Sequence, residues 1–167
     1  YGHEFCIYDP LVNVPLMVKA PGLEPGRDDE PVELLDLYHT TLDAAGGTDA
    51  AGTATHGGEA FDPTRSLFRD EFREFERGEY GFVEYHRPVV ELNQLETKAS
   101  EAGIDLDEDS RFYSRMRAAR RADGKYIRNE RIADEAYRLD EDPDETDPVG
   151  TDDPVVAEVE AALAAFE

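Results

Sequence analysis

The chain has one cysteine, Cys6, in 167 residues, so no intrachain disulfide can form and a disulfide-stapled scaffold is excluded. It has no apolar run near the roughly 18 residues a membrane helix needs. Its first residues show no charged-then-apolar leader. Lysine is scarce: of 17 basic residues only Lys19, Lys98 and Lys125 are lysines, the rest arginine. The nucleotide-binding glycine fingerprints and the Gly-x-Ser-x-Gly elbow are missing too. His3, His39, His56 and His86 include no i, i+4 pair, and no cysteine cluster joins them, so a helical zinc site has no ligands. Even the initiating methionine is missing. The chain opens Tyr1-Gly2-His3-Glu4 and runs at once into apolar sequence, which reads as an entry into the middle of a domain.

What is abundant is negative charge. Forty acidic residues give a net charge of -23 and a pI of about 4.3. Such a surface repels nucleic acid and anionic membranes, so neither is expected as a partner. Charge this high also accompanies disorder. Here, however, the acids are spread through segments with helical or strand periodicity, and eight Tyr and eight Phe accompany them. Adaptation to high salt is the better reading, because screening shortens the Debye length to roughly 3 Å at 1 M. Disorder is expected only over 140–153.

Along the chain, Val12–Val18 reads as a buried strand around Pro15, ended by Ala20-Pro21-Gly22. A Pro/Gly/Asp loop follows over 23–31. Leu34, Leu35, Leu37, Tyr38, Leu42 and Ala45 then form a helical stripe, with Gly46-Gly47 as the stop. Residues 48–63 read as a loop, 69–77 as a short charged helix, 80–86 as a strand and 89–102 as a helix. Phe112–Arg121 and Lys125–Arg131 read as two strands joined by a tight turn at Asp123-Gly124. Residues 136–139 suggest a third short strand, and Val155–Phe166 a closing helix. Cys6, between Phe5 and Ile7, reads as a core thiol rather than a nucleophile. His39 reads as structural, and His56 sits in a glycine-rich loop. His3 precedes the strand, where open α/β sheets gather functional groups. The acidic runs 28–30 and 105–109 lack the spacing of a calcium loop and read as solvated surface.

Tyr8-Asp9, Val14-Pro15-Leu16-Met17-Val18 and Ala20-Pro21-Gly22 resemble the stretch that follows the last metal-binding motif of the sulfatases, in the alkaline phosphatase superfamily. The helix Val32–Gly46 and Ser66-Leu67 are similar to the segments that come next in that family. Asp123-Gly124-Lys125-Tyr126-Ile127-Arg128 and Glu135–Thr146 resemble its closing hairpin and its ending. The resemblance implies an α/β fold: the C-terminal part of an alkaline-phosphatase-like sulfatase. A sheet strand and helix would be followed by a small antiparallel sheet packed on a C-terminal helix. Residues 1–78 would be the tail of the catalytic domain and 79–167 an antiparallel subdomain.

It further implies a metal-dependent hydrolase of small-molecule or saccharide sulfate esters. Its formylglycine nucleophile and the ligands of its divalent cation, expected to be Ca2+, would lie upstream of Tyr1. Cys6 is followed by Ile7-Tyr8-Asp9 and does not match the formylglycine motif. No catalytic or metal residue is therefore expected in this chain, which would need the preceding portion of its own polypeptide. Many sulfatases hold the sulfate with a lysine placed where this sequence has Glu4, with His3 one residue out of register. His3 is thus the expected substrate contact, and Glu4 in its place would repel a sulfate. A phosphoester or phosphonate hydrolase, and a non-catalytic acidic binding domain, remain as alternatives. The expected location is the cytoplasm of a halophile, with secretion possible.

Overall fold

The computed structural model describes residues 5–27, 31–46, 61–69 and 79–167. It is a mixed α/β structure whose strands form one four-stranded sheet. The expected helix over 69–77 and most of the loop over 48–63 lie outside the described residues. Two compact units are present, Tyr1–Leu16 with Phe82–Glu167, and Met17–Gly81.

In the first unit, β1 (Gly81–Tyr85), β2 (Met116–Arg120), β3 (Lys125–Asn129) and β4 (Glu135–Tyr137) lie in the order β1-β2-β3-β4. The β2–β3 and β3–β4 pairs are antiparallel. Ala118 faces Ile127, Arg120 faces Lys125, and Lys125 in turn faces Tyr137. Side chains alternate between the faces of a sheet. One face of these strands therefore carries Met116, Ala118, Arg120, Lys125, Ile127 and Tyr137, and the other Ala119, Tyr126 and Ala136.

The second face is covered by a helix, α4 (Pro154–Phe166), through Val156, Val159 and Leu163, all fully buried. Proline at its first turn has no N–H to leave unpaired. The Asp153 carboxylate caps it, accepting from the Val155 and Val156 amides. Phe82 of β1 stacks on Phe166, with ring centroids 4.3 Å apart. The first face is covered by the segment that opens the chain. Ile7 joins Met116, Ala118, Ile127, Tyr137 and Leu139 in the core, with Tyr8, Val12, Val83 and Tyr85 packed against them. Phe5 is buried edge-on to Phe112, and Cys6 between them in sequence is only half-buried. The long helix α3 (Val89–Glu101) completes the unit.

The expected strand at 12–18 is not formed. Asp9–Val12 make a short helix, α1, because Pro10 is pre-set for a first helical turn. The chain beyond Asn13 pairs with no strand among the described residues. Val14, Leu16, Met17 and Val18 face solvent, Met17 at 95 % exposure. Pro15 has no N–H to give a ladder, so apolar composition alone did not make a strand.

The expected disorder over 140–153 is also corrected. Asp142 accepts from the Thr146 and Asp147 amides, the Val149 amide donates to the Ala136 carbonyl, and Glu145 is buried. The carboxylates that suggested disorder are the groups that organise the loop. The acids at 105–109 are exposed, as solvated surface should be; those at 28–30 lie outside the described residues.

In the second unit, α2 (Leu34–Ala44) begins with a reciprocal capping box between Glu33 and Asp36. It ends at Gly46, whose φ of 67° is the left-handed stop that the sequence predicts. The segment 61–69 attaches to this helix by polar bonds. Arg65 pairs with Glu33 and Asp36, and Arg69 grips Asp43 through two 2.8 Å bonds. Ser66 donates to Asp43, and the Leu67 amide donates to Thr40. His39 is buried and structural, as expected, and its Nδ1 accepts from the Asp62 amide. Asp36, His39, Thr40 and Ser66 are this unit's buried residues among those described, while Leu35, Leu37, Tyr38, Leu42 and Phe61 are half-buried.

Candidate functional site

His3, the expected substrate contact, and Glu4, its rival, lie outside the described residues, as does His56. His86 is exposed. What the structure assembles is a cluster that sequence reasoning did not predict, built where the opening segment crosses the sheet.

Its centre is Lys125, the first residue of β3, with a side chain that is 0 % exposed. Its register points it at the opening segment. Nζ donates to the Ile7 carbonyl at 2.7 Å and to Asp9 Oδ1 at 3.0 Å, and lies 2.9 Å from Glu145 Oε1. An ammonium has three protons, and here it meets three oxygens. Asp9 Oδ2 accepts from Arg120 Nε at 2.8 Å and from the Asn13 amide at 3.3 Å. The Asp9 backbone N–H donates to the second Glu145 oxygen. Two cations and two anions close a neutral quartet in which each charge is paired. Unpaired, such buried charges would each cost several kcal/mol.

Glu145 reaches this position with a φ of 53°, in the left-handed region where a residue other than glycine is uncommon. Its carboxyl is pushed above the ordinary range by burial, which outweighs the nearby Lys125. Burial acts the same way on Asp9, but there Lys125 and Arg120 together win and hold the carboxyl low.

Beside the quartet runs a second network. Tyr8 and Tyr137 both donate to Glu135 Oε2, at 2.5 and 2.6 Å. Arg111 lies 3.6 Å from Glu135 Oε1 and over the Tyr8 ring. Burial, followed by the Glu135 bond, raises the pKa of both tyrosines, so they stay protonated donors across the physiological range. Opening segment and hairpin are thus locked by two polar clusters within an apolar interface. No group of three or more His, Cys, Asp or Glu that could hold a metal ion occurs among the described residues. No helix among them is long and apolar enough to cross a membrane.

Comparison with protein families, with curated proteins and with solved structures returns no match.

The chemistry of the quartet is positional. Every carboxylate in the quartet is ion-paired, and the ammonium has no lone pair to attack with. The cluster therefore holds the backbone at Ile7–Asp9 rather than transferring protons. The signal in the sequence was faint: a lysine in an arginine-rich chain, at an inward position of an apolar strand. A stem of four methylenes can be buried where a rigid guanidinium could not be fully satisfied.

The ion pairs carry an acid signature. Asp9 and Asp43 have folded pKa values below the ordinary one, Asp43 chiefly through its bond to Arg69. A depressed carboxyl stabilises the fold at pH above its unfolded pKa, and that stability is lost as pH falls through the folded value. In about 2 M KCl, where general repulsion is screened, unfolding free energy should drop as pH falls below the ordinary carboxyl range of about 4. The destabilisation caused by Asp43→Asn should shrink over the same fall in pH. A constant difference in urea titrations would contradict this assignment.

Proposed function

We propose that this chain is the C-terminal portion of a sulfatase-like hydrolase and serves as the scaffold for one wall of its substrate pocket. The observation that carries this reading is the quartet. The pieces of the resemblance at the two ends, within Tyr8–Gly22 and in Asp123–Arg128 and Glu135–Thr146, lie more than a hundred residues apart, and Asp9, Lys125 and Glu145 tie them together. A family that keeps both stretches has a reason to do so if the hairpin holds the opening segment in place. His3 comes shortly before that anchored segment in sequence and is the proposed pocket residue. When bound, the divalent cation would supply charge stabilisation for the departing ester oxygen, with ligands from outside this chain. The residues here orient the segment and exclude water from its back.

The test is the full-length gene product, assayed on an aryl sulfate, an aryl phosphate and an aryl phosphonate ester, with and without EDTA. Preferred hydrolysis of the sulfate, lost with EDTA and restored by Ca2+, supports the reading. Preference for phosphorus esters moves the protein to that branch of chemistry. No turnover of any ester leaves an acidic binding domain. Within an active enzyme, His3→Ala should lower kcat/KM by about ten- to a hundredfold, the loss of one charge-assisted hydrogen bond. Full activity in His3→Ala with none in Glu4→Ala would place Glu4 in the pocket and make an anionic sulfate the wrong substrate.

We also propose a halophilic cytoplasm as its setting, on the charge of -23. Raising KCl from about 0.1 M to about 3 M should then increase ellipticity and melting temperature, as screening relieves self-repulsion. Equal stability across that range would remove the argument.

A further inference from the structure

We propose that a cavity of about 240 Å³ beside Arg120 is a binding site for a small oxyanion, a role independent of the hydrolase reading. The cavity is lined by Asp9, Asn13 and Arg120, with Pro10, Leu139, Pro143 and Ala122 as its apolar walls. Arg120 anchors one edge of its guanidinium, donating from Nε to Asp9 Oδ2 at 2.8 Å. Asp9 is itself pinned by Lys125, so the plane of the guanidinium is set. Its two Nη groups meet no hydrogen-bonding partner among the described residues, and its side chain is only 22 % exposed. Four N–H donors in a rigid fork thus border a partly apolar cavity, the arrangement that suits a carboxylate, phosphate or sulfate group.

Charge favours the same conclusion. In a chain with 40 acidic residues, the cavity has a single lining carboxylate, and both oxygens of that carboxylate are already bonded to Arg120, Asn13 and Lys125. An anion placed there meets paired negative charge and unpaired donors. The volume lies below the roughly 300–1,000 Å³ of sites that enclose drug-sized molecules. A free oxyanion or the acidic end of a larger molecule is the fitting ligand. The second cleft, near Arg117 and Arg128, is less suited, because Glu84, Glu160 and Glu167 already pair with those arginines.

The experiment is calorimetric titration of the full-length protein with sodium sulfate, sodium phosphate and sodium acetate, with ionic strength held constant by chloride. Saturable binding should weaken on the order of tenfold or more in Arg120→Gln, the loss of charge-assisted bonds, and stay unchanged in Arg115→Gln. Ala122→Glu, which sets a carboxylate at the wall without touching the anchored pairs, should also abolish it. That variant decides the matter if Arg120→Gln does not fold. Binding of sulfate and phosphate alone identifies a tetrahedral ligand, binding of acetate alone a carboxylate, and binding of all three a site that accepts any small oxyanion. Absence of saturable binding for all three, or binding equal in wild type, Arg120→Gln and Ala122→Glu, overturns the proposal.

Discussion

Lys125→Ala should cost the protein about 3–5 kcal/mol of unfolding free energy, the range found when one partner of a buried ion pair is removed. The substitution deletes two hydrogen bonds and an ion pair at once and leaves Asp9 and Glu145 buried with one cation, Arg120, on the far side of Asp9. Of the two carboxylates, Glu145 is the more exposed to this loss. Burial already raises its pKa with Lys125 present, so in the variant it should take up a proton to stay inside. Two measurements check the assignment. Urea titration at high salt should show the full loss, and Lys125→Met should cost less when combined with Glu145→Gln than when made alone, because the double variant buries one charge fewer. A Lys125→Ala cost below about 1 kcal/mol would mean that the ammonium reaches solvent. Because the same bonds hold the Ile7 carbonyl, the opening segment should lose amide protection in the variant before the sheet does.

Gly124→Ala should cost about 1–3 kcal/mol, the range for an overpacked core. A Cβ built on Gly124 would stand 2.6 Å from Val155 Cγ1 and 3.4 Å from Val159 Cγ2. The glycine lets the hairpin end and α4 approach closely. Its φ is not in the left-handed region, unlike those of Gly22, Gly46 and Gly103. Asp123-Gly124 is therefore a tight turn, closed by the Arg121 amide on the Gly124 carbonyl at 2.8 Å, yet the glycine is required by the helix rather than by the turn. Val155→Ala should rescue Gly124→Ala, since it removes the clashing methyl. Failure of that rescue in thermal melts would return the requirement to the backbone.

Pattern located α4 and the β2–β3 hairpin within a few residues, because each pattern matched its own burial; α3 and β1 also lie where the sequence places them, though α3 buries only Ala99 and β1 no residue fully. Val156, Val159 and Leu163 are spaced as one face of a helix, and that face is the buried one. The stop of α2 at Gly46 was legible because it depends on neighbours in sequence, whereas the Glu33–Asp36 capping box emerged only with the structure. The segment 12–18 was misread because an apolar run states only that burial would be favourable. Whether a strand forms depends on pairing with a neighbour's backbone, and residues 12–18 pair with no strand among the described residues. The loop 140–153 was misread in the opposite sense. Its charge density suggested solvation, but its stabilising partners, Lys125 and Ala136, come from elsewhere in the chain.

Local rules and total charge thus reach as far as an acidic chain, its helices with one glycine stop, and a hairpin closed at Asp123-Gly124. The sequence also carried a family resemblance in separate pieces. Only the tertiary structure decided that Asp9, Arg120, Lys125 and Glu145 meet, and that Gly124 lies under α4. Pairing at a separation of more than a hundred residues leaves no periodic trace. It arises because the sheet register turns Lys125 inward, and a buried ammonium is stable only where three oxygens converge to receive it.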